Sequence, residues 1–146
     1  MVAVAFHLED GNHNGIRISH IDGVRFALEG FGVDAVHVID KTEDRFHSLP
    51  MGWTRHASLE DFVASCDCEI VVLETADGTK GQPSLSFAEI EISGDEVFIV
   101  GTSGGFSSGF FDDAKRYVHL TMPHEIALEP REALTLMVAE AWQQQQ

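Results

Sequence analysis

Three short stretches of this sequence bring together residue types that could do chemistry. Arg17-Ile18-Ser19-His20, with Arg25 nearby, sets two guanidinium groups and an imidazole around a predicted helix start. Arg binds phosphate or orients a nucleophile, and His exchanges a proton near neutral pH. The same residues also suit a plain helix start with a solvated Arg. Thr102-Ser103-Gly104-Gly105-Phe106-Ser107-Ser108-Gly109 is glycine-rich. Glycines let a backbone approach a ligand and offer it N–H groups, although an ordinary loop has the same composition. No Gly-Lys-Ser/Thr follows, so it is not a P-loop, and its place after a late strand is wrong for a dinucleotide fingerprint. Pro123-His124-Glu125 sets a His beside a carboxylate, a pairing that suits proton handling but is frequent in loops.

Other chemistries find less support. His7, His13, His37, His47, His56 and His119 follow no metal-ligand spacing, and no metal is expected. His37 and His119 fall in predicted strands, where a structural role is the simpler one. No G-x-S-x-G elbow is present. Cys66 and Cys68 form C-x-C, and an even spacing on extended chain puts both on one face. With no further soft ligands close in sequence, they read as two thiols at a strand start, with redox or metal roles as the alternative.

Charge bears on partners. Nine Lys and Arg against 24 Asp and Glu give a net charge of −15. Such a chain repels a phosphate backbone at long range, whereas nucleic-acid binders usually present a basic surface. Either the basic residues cluster at one site, or a partner delivers the substrate, or the substrate is not nucleic acid. A salt-rich setting is another source of acidity in a chain with three lysines, Lys41, Lys80 and Lys115.

The elements that must position these residues follow from periodicity. Val2 to Leu8, Ala35 to Ile39, Glu69 to Thr75, Glu96 to Gly101 and Tyr117 to Thr121 read as strands, most of them apolar enough to be buried. Ile21, Val24, Ala27, Leu28 and Phe31 recur at helical spacing, with Ser19 as the expected N-cap and Gly30 and Gly32 ending the helix. Ser58 opens a second, short helix. Pro130 to Trp142 is the closing helix, with Pro130 in its first turn. Residues 41–57 read as a long loop, and Phe87, Ile90 and Ile92 as a further extended piece. Strands alternate with helices, so the expectation is one α/β domain over residues 1–142, with a mostly parallel sheet and helices on both faces. Residues 143–146 are expected to be a disordered tail. The first residues lack the basic start of a signal peptide and no apolar run reaches the ~18 residues of a membrane helix, which points to a soluble cytoplasmic protein.

Three stretches resemble the SPOUT methyltransferases. Arg17-Ile18-Ser19-His20 running to Phe31-Gly32-Val33-Asp34-Ala35 is similar to that superfamily's helix and second strand. Val97-Phe98-Ile99-Val100-Gly101 resembles the strand and glycine before its knot. Tyr117-Val118-His119-Leu120-Thr121-Met122-Pro123, followed by the closing helix, resembles its last strand, cofactor loop and final helix. Arg17, His20 and Pro123-His124 look closest to the archaeal tRNA ribose 2′-O-methyltransferases, although Glu129-Pro130-Arg131-Glu132 competes for the late motif. The bacterial ribose-methylase pattern Asn-x-Gly-x-x-x-Arg is not intact. Aligned on Phe31-Gly32, its Asn falls on His20 and its Arg on Phe26, next to Arg25. Gly104-Gly105-Phe106 stands where the knot-loop Glu would be.

The resemblance implies a C-terminal trefoil knot, a homodimer and S-adenosylmethionine as cofactor. It implies cofactor contacts from Leu73, Glu74, Thr75, Gly101, Leu120, Met122 and Leu134. Arg17, His20 and Arg25 become the catalytic candidates, with RNA as the expected substrate. The rival expectations are a binding protein that keeps the fold without methylation, and a methyltransferase acting on a small molecule or protein.

Overall fold

A computed structural model describes residues 2–7, 18–33, 35–40, 52–74, 85–100, 116–119 and 130–146, with backbone alone for 18–23, 74, 116, 117 and 130. In chain order these form β1 (Ala3–His7), α1 (Ile18–Gly30), β2 (Ala35–Ile39), β3 (Trp53–His56), α2 (Leu59–Ser65), β4 (Glu69–Glu74), β5 (Leu85–Ser86), β6 (Glu96–Val100), β7 (Arg116–His119) and α3 (Pro130–Gln144). The strands make one sheet in the order β3-β2-β1-β6-β4-β7-β5. Every pairing in it is parallel.

A parallel sheet covered on both faces needs strands that are apolar throughout. β1 and β6 are buried along their whole length and are apolar except for His7 and Glu96 at their ends. Alternation sorts their side chains. Val4, Phe6, Val36, Val38, Val71, Phe98, Val100 and Val118 face α1 and α3, meeting Val24, Leu28, Leu134, Met137, Val138 and Ala141. Ala3, Ala5, Ile39, Ile70, Val72, Val97 and Ile99 face α2 and its buried Phe62. Helices therefore lie on both faces, as expected.

Local signals set the helix ends. The N–H of Val33 bonds the carbonyl of Leu28 at 2.9 Å and that of Gly32 bonds Glu29 at 3.1 Å. This is a Schellman closure with Gly32 at φ +74°, so Gly32 rather than Gly30 makes the turn. α1 begins at Ile18, so Ser19 lies inside the helix and not at its N-cap as expected. Ser58 does cap α2, its Oγ accepting from the Asp61 N–H at 3.1 Å.

Three expectations are corrected. β3 lies inside the stretch read as a loop; it is a short, polar edge strand whose Trp53 stacks on Phe6 at 6.3 Å. The extended piece near Phe87 is the two-residue β5, after which the chain turns, with the Glu89 N–H on the Ser86 carbonyl at 2.8 Å. Gln143 and Gln144, expected in the tail, belong to the last turn of α3. The Gln144 amide there pairs with backbone, donating to the Ile90 carbonyl at 2.9 Å and accepting from the Ile92 N–H at 3.1 Å.

At the start of β6, the carboxylate of Glu96 is buried. It accepts from the Ser93 N–H at 2.8 Å, the Ser93 hydroxyl at 3.0 Å and the Gly94 N–H at 2.8 Å. No described helix is long and apolar enough to cross a membrane.

Candidate functional site

In open parallel sheets, ligands bind beyond the carboxyl ends of the strands. Here β4 lies between β6 and β7, so three carboxyl ends stand side by side. Register puts Val72 opposite Ile99, Leu73 opposite Val118 and Glu74 opposite His119. Leu73 and Glu74 thus end the middle strand. Gly101 directly follows β6 in sequence, and Leu120 directly follows β7. The strands that carry the expected cofactor residues are therefore neighbours, although the residues they carry lie 19 to 47 positions apart in sequence. Leu134 is fully buried and shares one apolar cluster with Leu73, Val100 and Val118. Thr75, Gly101, Leu120 and Met122 lie outside the described residues, as do Pro123-His124-Glu125 and the glycine-rich loop.

Of the catalytic candidates, Arg17 lies outside the described residues, and His20 is described only as backbone in the first turn of α1. Arg25 sits about two turns into that helix. Its Nε lies 3.7 Å from Glu29 Oε1, and its guanidinium covers the Phe26 ring at 5.1 Å from the centroid. Phe26 itself is 69% exposed, an unusual position for a large apolar ring. Of the three, only the side chain of Arg25 is among the described ones.

Sequence reasoning passed over a second polar group, on the α2 face. His37 Nδ1 and His56 Nε2 are 2.9 Å apart, and Phe62 packs on both rings, with centroids at 5.3 and 5.2 Å. One imidazole must donate and the other accept, which requires a neutral acceptor. Burial, then the charge of His56, lowers the pKa of His37. Burial lowers that of His56 against an opposing pull from Asp61. The pair joins strands 19 residues apart in sequence, so no local motif announces it. Nearby, an Arg55 Nη donates to the carbonyl of buried Asp40 at 2.5 Å, pinning the end of β2 to β3.

No protein-family model matches the chain, and no curated protein matches it in sequence. Solved structures do match it in fold. A TrmH/SpoU tRNA modifying enzyme of A. aeolicus superposes with a TM-score of 0.74 at 14% identity, over 99% of this chain and 75% of that one. A structure described as giving insights into the 2-OH methylation of C/U34 on tRNA has a TM-score of 0.76 at 14% identity, over 99% and 91%. The SpoU methyltransferase AviRb from Streptomyces viridochromogenes, in complex with the cofactor AdoMet, gives 0.72 at 14% identity, over 98% of this chain and 60% of that one. The chain therefore has the fold of SpoU-type methyltransferases and spans about three fifths of AviRb.

Proposed function

We propose that this chain is an S-adenosylmethionine-dependent methyltransferase acting on RNA, and more finely that it methylates a tRNA ribose 2′-hydroxyl. The observation that carries the reading is the adjacency of the β6, β4 and β7 carboxyl ends, in a fold shared with a neighbour crystallised with AdoMet.

On this reading, the residues around these strand ends have the following roles toward the cofactor. Leu73, half-buried at the end of β4, would offer an adenine ring an apolar contact, with Leu134 packed in the same cluster behind it. Parallel strands that stop together leave backbone amides and carbonyls to bond it. Glu74 and Thr75 would hold its polar groups, with Gly101, Leu120 and Met122 closing around it. Bound there, the cofactor supplies an electrophilic methyl group. The chain's own task is to place the acceptor in line, since positioning supplies much of the rate. A ribose hydroxyl is a poor nucleophile, so a basic group must take or share its proton. Arg17, His20 and Arg25 are the candidates, and an Arg can instead bind the phosphate beside the reacting ribose.

β7 inserts between β4 and β5, and α3 then packs on α1 and β6, a path compatible with a C-terminal trefoil knot. A cytoplasmic homodimer completes the reading. Its support is apolar surface on the paired helices, with Phe26, Leu136 and Trp142 exposed.

The test is transfer of a labelled methyl group to unmodified tRNA, followed by alkaline hydrolysis. A 2′-O-methyl group blocks cleavage at its own nucleotide, so label in an alkali-resistant dinucleotide supports the finer reading. Label in mononucleotides keeps RNA methylation and removes the ribose. The net charge of −15 favours a second reading, a binding protein that keeps the fold without methylation. RNA affinity that falls steeply with salt marks phosphate contacts; absence of RNA binding at any salt supports the second reading.

A further inference from the structure

Cys66 and Cys68 lie at the opposite end of β4 from the proposed cofactor site. Cys66 is the C-cap of α2 and Cys68 immediately precedes β4, so the length of β4, about 20 Å, separates them from Leu73 and Glu74. Both are free thiols, half-buried against the Ile70 and Val72 cluster. The Cys66 Sγ approaches the Cys68 carbonyl at 3.7 Å, and both side chains pack on the same apolar cluster. The C-x-C spacing thus does what extended geometry predicts and brings two soft donors together on one face.

Their surroundings are negative. Asp67 lies between them in sequence, and Asp95 faces them from the turn before β6, where its carbonyl accepts the Glu69 N–H at 3.0 Å. Burial first, then Cys66, Asp95 and Asp67, pushes the Cys68 thiol up from its ordinary value. Reactive, oxidation-prone cysteines occupy electropositive settings that favour thiolate; this pair has the reverse. The same negative field attracts a cation. Among the described residues no group of three or more His, Cys, Asp or Glu is placed to hold a metal, which disfavours four-coordinate zinc. Two thiolates suit a soft ion content with two ligands.

We propose that Cys66 and Cys68 chelate one Cu(I) ion as a two-thiolate site. Two S–H bonds break, two Cu–S bonds form and two protons leave to solvent. No electron is transferred, so no oxidant is needed. The bound ion ties the end of α2 to the start of β4.

The test is anaerobic titration of the reduced full-length protein into the coloured complex of Cu(I) with bicinchoninate. One Cu(I) withdrawn per chain is expected, with affinity rising as pH rises because protons are released on binding. Cys66→Ser and Cys68→Ser should each weaken binding at least about 100-fold, because each leaves a single donor, while far-UV circular dichroism stays unchanged. Wild-type protein that leaves the colour intact would overturn the proposal. So would either variant, folded, binding as tightly as wild type, because the ion would then sit on other ligands. Pre-treating wild-type protein with iodoacetamide reports on the thiols without a variant, and uptake that survives it has the same meaning.

Discussion

The imidazoles of His37 and His56 hydrogen-bond at 2.9 Å between β2 and the edge strand β3, under the ring of Phe62. Both have pKa values lowered in the fold, so the folded state resists the protons that the unfolded chain accepts below about pH 6.5. Their contribution is fully present above that pH and is lost as pH falls toward the folded values. Thermal melts from pH 7.5 to 5.5 should show stability falling on the acid side. In His37→Gln, which cannot titrate, the slope should be shallower. An identical slope in the variant would remove the pair from the account.

Gly30 and Gly32 should respond oppositely to alanine. Gly32 sits at φ +74°, where a Cβ is strained even though the surrounding space is open, so Gly32→Ala should cost about 1 kcal/mol. Gly30 is helical with open space at its Cβ position, so Gly30→Ala should stabilise by about 0.5–1 kcal/mol. Urea denaturation of the two variants measures both signs.

Glu96 holds the turn that launches β6. Glu96→Gln keeps the shape but turns an NH2 toward groups that themselves donate, and should destabilise by about 2 kcal/mol. A loss below a few tenths in chemical denaturation would mean that the turn forms without it.

Arg17→Ala should lower methyl transfer at least about 100-fold while leaving cofactor binding intact. Turnover equal to wild type would end its proposed catalytic role.

What the sequence disclosed depended on how each element meets its neighbours. β1, β2, β4 and β6 were legible because strands covered on both faces are apolar at successive positions. β3 was not, because Trp53-Thr54-Arg55-His56 is an edge strand with one large apolar anchor. β5 is too short to show a period. The last turn of α3 was misread because polar Gln144 earns its place through Ile90 and Ile92, more than 50 residues away. For the site, Leu73 and Leu134 came from the resemblance to SPOUT enzymes and do share a cluster. No periodicity could have set β4 between β6 and β7, or His37 beside His56, because strand order is a long-range property.

The central claim is a cofactor site at the joined ends of β6, β4 and β7. Isothermal titration of the folded protein with S-adenosylmethionine and S-adenosylhomocysteine tests it most directly. The account predicts one site per chain with micromolar affinity for both, about 8 kcal/mol at 1 μM, weakened when Leu73 is replaced by Glu. Absence of binding to a protein shown to be folded would contradict it, leaving a methyltransferase fold put to another use.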